Sequence, residues 1–304
     1  MSAPDLDALT AFLAAAVRVA TPLLLAAIGE TVTERGGVIN LSLEGAMLAG
    51  ALAAALGAGA GGPWAGVLTG ALAGLAAAAL FAAVSVGAGV NQILAGTAVT
   101  LMCVGITGTV YRRAYGYGGP GLTIPTLAPL PLPGLSRIPV LGESLFAQPV
   151  PTYLGFLAVP AAWWLLYRTR TGLQLRATGE AAELARAAGV QVRLLRFAAT
   201  LAGGVFGGVA GASLVLAQVG TFAERMTAGR GYVAIAIVVL GRWHPVGVAL
   251  AALLFGAATA LQFLFQALGL AVPYQVFLML PYLLTLGALA GAVGRVRPPA
   301  DLGR

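Results

Sequence analysis

The placement of charge constrains this chain more than any other feature. Apolar runs of about 20 residues, the length that crosses a bilayer as helix, follow one another, and the charged residues are confined to short stretches between them. Only 9% of the 304 residues are charged and 59% are hydrophobic, whereas a soluble domain carries about 25% charge. A water-facing shell needs polar residues over most of its area, and this chain has too few to build one. Lipid is the solvent that suits the runs. In hydrocarbon every backbone N–H and C=O must be satisfied internally, so helix is nearly obligatory even where Gly (43 residues) and Ala dominate. The small residues then become surfaces over which helices approach closely. The expected fold is an all-α polytopic membrane protein, one transmembrane domain over residues 1–304, with about 8–10 transmembrane helices, some broken or re-entrant.

Spans are read at 8–28, 38–56, 64–86, 90–111, 150–167, 197–219, 246–268 and 272–293. The run 232–240 is too short to cross as a straight helix and is read as a half-helix or a broken span; placing both Arg-rich segments in the cytoplasm requires it to dip in and return. Between the fourth and fifth spans, 116–151 contains Pro120, Pro125, Pro129, Pro131, Pro133 and Pro139, a density that predicts an irregular loop outside the bilayer. The stretch 168–196 holds Arg168, Arg170, Arg176, Arg186, Arg193 and Arg196 against Glu180 and Glu183, which places it in the cytoplasm by the positive-inside rule. Arg295, Arg297 and Arg304 place the tail there too, and 116–151 is then extracytoplasmic. The opening MSAPDLDALTAFLAAAV carries Asp5 and Asp7 and lacks the basic start of a cleavable signal, so the first helix is expected to be retained.

Several functions are excluded by what is missing. Every one of the 17 basic residues is Arg. Without Lys the chain has neither the phosphate-binding Lys of a P-loop nor a Schiff-base amine. One Cys (Cys103) and one His (His244) make no disulfide within the chain and no histidine metal cluster. No cofactor is expected on this chain. The net charge of +7 does not read as nucleic-acid binding, because the Arg residues border apolar segments instead of forming one stripe.

Within the Arg-rich stretch, GLQLRATGEAAELARAAGV (172–190) reads as a short helix. Thr178 is placed as its N-cap, Glu180 and Glu183 lie at the positive end, and Gly189 stands where a left-handed terminator belongs. Ala181, Leu184, Ala185 and Ala188 form one narrow face at helical spacing. Roughly ten residues do not hold a helix alone, so this one either lies against its own bundle or docks into a partner's cleft.

That segment resembles the cytoplasmic coupling segment of permeases in bacterial ATP-binding-cassette importers for simple sugars, branched-chain amino acids and nucleosides. ETVTERGGVINLSLEGAMLAG (30–50) and MTAGRGYVAIAIVVLGRWHPVG (226–247) are similar to the nucleoside and sugar branch of that family. The resemblance implies a non-enzymatic subunit of the bacterial inner membrane, surrounded by lipid, that passes a small polar solute by alternating access. The solute it favours is a nucleoside, with a simple sugar as the alternative. Implied partners are a second permease, paralogous or identical, a cytoplasmic ATPase that binds ATP and Mg, and an extracytoplasmic solute-binding lipoprotein. The resemblance also assigns Thr178, Gly179, Glu180, Glu183, Leu184, Arg186, Ala188 and Gly189 to ATPase coupling.

Polar residues inside the spans suggest a path. Gly36 and Gly37 interrupt an apolar run, and Asn40, Ser42 and Glu44 then alternate with Ile39, Leu41 and Leu43. Two readings stand side by side: a broken helix lining the path, or an interfacial turn with Glu34 and Arg35 in headgroup water. Asn91, Gln92 and Thr97 are either helix-to-helix glue or path residues. Phe222 and Met226 lie in 221–230, read as a gate, a surface that meets the binding protein, or a plain re-entrant loop. Arg18, near the middle of the first run, either snorkels or pairs with Glu30 or Glu44. In GRWHP, Trp243 is expected at headgroup level and Pro245 at the start of the next helix. An ion-coupled transporter and an intramembrane enzyme are the competing functions, but the carboxylates fall mostly at span ends and the only His lacks an acidic neighbour in sequence.

Overall fold

A computed structural model of the chain describes residues 3–116, 123–267 and 297–303, with helical positions at 279, 283 and 287. Its helices are α1 (Ala3–Arg35), α2 (Leu43–Gly61), α3 (Pro63–Ala82), α4 (Gln92–Tyr115), α5 (Leu141–Phe146), α6 (Val150–Arg168), α7 (Arg170–Glu180), α8 (Ala182–Ala187), α9 (Val192–Leu214), α10 (Arg230–Leu240) and α11 (Pro245–Ala267). Among the described residues seven helical stretches are long and apolar enough to cross a membrane: Ala8–Arg35, Leu43–Gly61, Pro63–Gly87, Gln92–Tyr115, Val150–Arg168, Val192–Val219 and Pro245–Phe265. The eighth span read from the sequence, 272–293, lies outside the described residues apart from three positions.

The bundle has two distinct ends. At one, the Arg35 guanidinium donates to the Tyr167 hydroxyl (3.2 Å), Arg196 donates to the Gly36 carbonyl (3.1 Å), and Arg193 donates to the Gly87 carbonyl. This is the arginine end, and α7 and α8 lie on it. At the other end the Pro-rich loop is not wholly irregular. It carries α5 and a two-stranded antiparallel ribbon of β1 (Pro129–Pro131) and β2 (Ala147–Pro149). It is fastened to the wide turn Val215–Val219 that continues α9 by the Leu127 N–H on the Leu216 carbonyl (2.8 Å), and to α1 by the Ser144 hydroxyl on the Thr10 carbonyl (3.2 Å).

The run 232–240 does not dip and return. α9 and the wide turn Val215–Val219 reach the loop end, where the Gly220 carbonyl accepts from the Ile124 N–H (3.3 Å). Trp243, just past α10, meets Glu34 and Arg35 at the arginine end. The chain therefore traverses the bundle between these points as an unwound stretch, 221–229, followed by the 11-residue α10. Chain returning to the end it started from needs an even number of passes, and this broken span supplies one of them.

Glycine decides how closely the central helices approach. Gly66, Gly70 and Gly74 recur every fourth residue along α3: Gly66 lies against the Ala54 carbonyl of α2, while Gly70 and Gly74 face Gly208 and Gly204 of α9. A Cβ on Gly208 would run into the Gly70 carbonyl oxygen, one on Gly74 into the Gly204 carbonyl, and one on Gly211 into the Met47 carbonyl of α2. α9 is thus held between α2 and α3 at backbone contact, the small-residue packing that membranes favour.

The segment 172–190 differs from its sequence reading. Thr178 is not an N-cap: its hydroxyl donates to the Gln174 carbonyl (2.9 Å) near the end of α7, and the residue is fully buried. The cap belongs to Thr169, whose hydroxyl accepts the Gly172 N–H at 3.0 Å. The helix then breaks at Ala181 and resumes as the short α8, with Gly189 left-handed at φ 83° as expected. Ala182 and Ala185 face inward, so the buried face is not the one drawn through Leu184 and Ala188, both of which are exposed.

Candidate functional site

Two interruptions of helix meet inside the bundle. α1 ends at Arg35, Gly37 turns the chain at φ 89°, and α2 starts only at Leu43. Unwound backbone at that depth must find partners within the protein. It finds them on side chains: the Glu30 carboxylate accepts the Asn40 N–H (2.8 Å), Gln92 Oε1 accepts the Ile39 N–H (2.8 Å), and Thr100 Oγ1 donates to the Leu41 carbonyl (3.1 Å). Asn40 Oδ1 accepts both the Ser42 N–H (3.2 Å) and the Ser42 hydroxyl (2.5 Å). Asn40 and Ser42 have no exposed surface.

The second interruption is the start of α10. Its N-cap, Gly229, is left-handed at φ 83° and offers no side chain. Glu44, in the first turn of α2, takes that role from outside. Its carboxylate accepts the Thr227 hydroxyl (2.6 Å), the Gly229 N–H (2.9 Å) and the Gly231 N–H (2.7 Å). A helix N-terminus presents unpaired N–H groups and the positive end of its dipole, which a carboxylate satisfies on both counts. Gly231 is required at this junction, because a Cβ there would lie 2.5 Å from Glu44 Cα.

A third connection closes the arginine end. Trp243 Nε1 donates to the Glu34 carboxylate, and Arg35 Nε donates to the Trp243 carbonyl at 2.8 Å. Arg242 and Trp243 hold left-handed backbone at φ 56° and 53°, a conformation costing non-glycine residues on the order of 1 kcal/mol or more each. Arg35 and Glu34 hold that turn in place. Trp243 is therefore not a headgroup anchor; it is 3% exposed, and Glu34 is equally buried, which removes the headgroup-water reading of this turn. Pro245 does open α11. Trp243→Phe leaves a buried carboxylate oxygen without its donor and should lower stability by about 1–3 kcal/mol. Thermal unfolding of the purified chain in detergent checks this, with Trp64→Phe, at a site 61% exposed, expected near zero.

Of the residues read as path, Asn40, Ser42, Glu44 and Gln92 share this junction. Asn91 caps α4 by accepting the Ile93 and Leu94 N–H groups, and with Gln92, Arg186, Arg193 and Arg196 it lines an open cleft of about 510 Å³ at the arginine end. Met226 is half-buried between the two main apolar clusters. Thr97 and Phe222 stand apart. Thr97 faces outward from α4 with its hydroxyl on the Ile93 carbonyl, and Phe222 is buried at the loop end, 5.3 Å from the Tyr111 ring. Of the residues that the resemblance assigns to coupling, Thr178 and Gly179 are buried against the bundle, whereas Glu180, Glu183, Leu184, Arg186, Ala188 and Gly189 are exposed.

Arg18 is exposed and pairs with neither proposed carboxylate, since Glu30 and Glu44 are committed to the contacts above. The sequence reading gave no role to Thr227 or Asp301, and saw Glu30 and Glu34 only as a partner for Arg18 and a headgroup residue. The signal for the last two was their spacing of four along one helix face, late in an apolar run. Among the described residues no group of His, Cys, Asp and Glu is arranged to hold a metal ion.

Residues 12–289 match the family described as the permease component of branched-chain amino acid transport systems. Among curated proteins, the chain is 33% identical to the guanosine ABC transporter permease protein NupQ of Bacillus subtilis, over 92% of this chain and 91% of that one. It is 34% identical to the nucleoside ABC transporter permease protein NupC of Lactococcus lactis, over 92% of each. It is 37% identical to TsgC13 of Haloferax volcanii, an ABC transporter permease protein with a provisional glucose assignment, over 92% of this chain and 91% of that one. No solved structure matches the chain.

Proposed function

Since this chain belongs to the permease family of branched-chain amino acid transport systems, in its nucleoside and simple-sugar branch, we propose that the solute it carries across the membrane is a nucleoside. It is a multi-pass membrane permease subunit of an ATP-binding-cassette importer, a family whose members work with ATPase and solute-binding partners. The observation that carries the nucleoside reading is the likeness to NupQ and NupC, each over nine-tenths of both chains.

In this reading the arginine end faces the cytoplasm, as positive-inside bias requires. There α7 and α8 meet the ATPase. Leu184, 73% exposed on α8, is the knob, and Glu180, Glu183, Arg186, Ala188 and Gly189 surround it. A large apolar side chain presented on a six-residue helix in water suits a partner's cleft. ATP and Mg bind that partner, and a second permease and an extracytoplasmic binding lipoprotein complete the importer. Asn40, Ser42, Glu44 and Gln92 back the path as a rigid support from behind: Asn40 and Ser42 bond each other, Gln92 holds the Ile39 N–H and Glu44 holds the start of α10.

TsgC13 favours a second solute, glucose. Proteoliposomes containing the assembled transporter, its binding protein and ATP separate the two. Expected is saturable, ATP-dependent uptake of labelled guanosine that excess glucose does not suppress. Glucose uptake without guanosine uptake would overturn the nucleoside reading, and uptake driven by an ion gradient without any ATPase would overturn the coupling reading.

A further inference from the structure

α8 lacks a cap of its own. Ala181 occupies its N-cap position and has no side chain to accept a hydrogen bond. The acceptor arrives instead from the tail: Asp301 Oδ2 accepts the Ala182 N–H at 2.6 Å across 119 residues of sequence. The same residue's N–H donates to the Gly179 carbonyl at 2.9 Å, so Asp301 holds both sides of the joint between α7 and α8. Two residues on, the Gly303 N–H donates to the Gly37 carbonyl at 3.1 Å, at the turn where α1 breaks. Leu302, between them, packs on the main apolar core. The Asp301 carboxylate also acts electrostatically on Arg196, which itself donates to Gly36.

Two discontinuities lie directly against each other under this tail, since a Cβ on Gly179 would strike the Arg35 carbonyl. Residues 297–303 stitch them together on one side, with contacts to α7, α8 and the 36–42 break. We propose that Asp301 is a positioning residue for transport: it caps α8 and, through the tail, straps that helix to the 36–42 break so that the two move as one body. The proposal rests on the reading of α7 and α8 as the ATPase-coupling segment. Displacing α8 then displaces Gly37, and with it Asn40 and Ser42, without relying on α7 alone to transmit the movement. Asp301 touches no solute and acts through the elements it holds.

The test uses the full chain assembled with its ATPase and binding protein in proteoliposomes, comparing Asp301→Ala with Asp301→Asn. Asn caps helices as well as Asp does, so it keeps the acceptor and removes only the charge. Expected for Asp301→Ala is an ATPase that stays attached and hydrolyses ATP, with solute moved per ATP falling about fivefold, the worth of one helix cap. Asp301→Asn is expected within about twofold of the unaltered protein. A ratio unchanged in Asp301→Ala, or equal loss in both variants, overturns the proposal. Hydrogen exchange on the unaltered complex tests the strap without any substitution. Nucleotide binding should change exchange in 297–303 in step with 179–189, and a change in the second without the first also overturns it. An ATPase still attached after combined Glu180→Ala, Arg186→Ala and Gly189→Ala changes would instead overturn the coupling reading, a result separate from both arms above.

Discussion

Glu44→Ala is expected to destabilise the folded chain by about 3–5 kcal/mol and to abolish transport, from the loss of three hydrogen bonds to a carboxylate. The Thr227 hydroxyl, the Gly229 N–H and the Gly231 N–H all converge on that carboxylate, at 2.6, 2.9 and 2.7 Å. Ala leaves all three donors facing an apolar void. Each buried donor left without a partner costs about 1–3 kcal/mol. The damage also spreads, because the carboxylate is what locates α10 relative to α2. Glu44→Gln retains one carbonyl oxygen and offers an NH2 where an acceptor was needed, so its loss should be intermediate. Thermal unfolding in detergent orders the three proteins, and equal melting of Glu44→Ala and the unaltered chain would contradict the account.

The second large effect is steric. Gly208→Val should prevent the chain from accumulating in the membrane, and Gly208→Ala should cost at least the ~1–3 kcal/mol typical of overpacking. Gly208 is enclosed on two sides: its own Cβ would collide with the Gly70 carbonyl, and its carbonyl and Cα lie 2.5 and 2.6 Å from where a Cβ on Gly50 would stand. Backbone cannot step aside as a flexible side chain can, so α3 and α9 would have to part along their length. Gly105→Ala is the matched control, a helical glycine with nothing within 4 Å of its added Cβ. Removing a flexible residue there should change stability by no more than about 1 kcal/mol. Expression level and melting temperature of the two Ala variants, measured side by side, check the contrast.

Apolar length made most of the spans legible, and their errors have physical causes. The second span was read at 38–56, whereas α2 runs Leu43–Gly61. Val38, Ile39 and Leu41 are as hydrophobic as any span residue, but Glu30, Gln92 and Thr100 take up the backbone of 39–41, and partners on other helices leave no trace in local hydropathy. The broken span at 221–240 was half visible: its apolar run 232–240 could be seen, but not the Glu44 carboxylate that makes an unwound approach tolerable. Thr178 looked like a cap because Thr followed by acidic residues is a common helix start. Thr169 had the prior claim, and Gly172 lets α7 fold back tightly against Leu165. Alternation of Asn40, Ser42 and Glu44 with apolar residues signalled a departure from lipid-facing helix, whereas Thr97 carried no signal to say which side of α4 it occupies.

The dependence of α8 on Asp301 also sets an order of events during synthesis. A ribosome that has just released Ala182 must add 119 more residues before the acceptor for its N–H exists, a delay on the order of ten seconds at bacterial elongation rates. Throughout that interval the joint between α7 and α8 lacks its cap, while α9, α10 and α11 emerge and insert. If α7 and α8 meet the ATPase as proposed, that docking face matures only once the membrane bundle is complete, and a nascent chain that stalls midway lacks it.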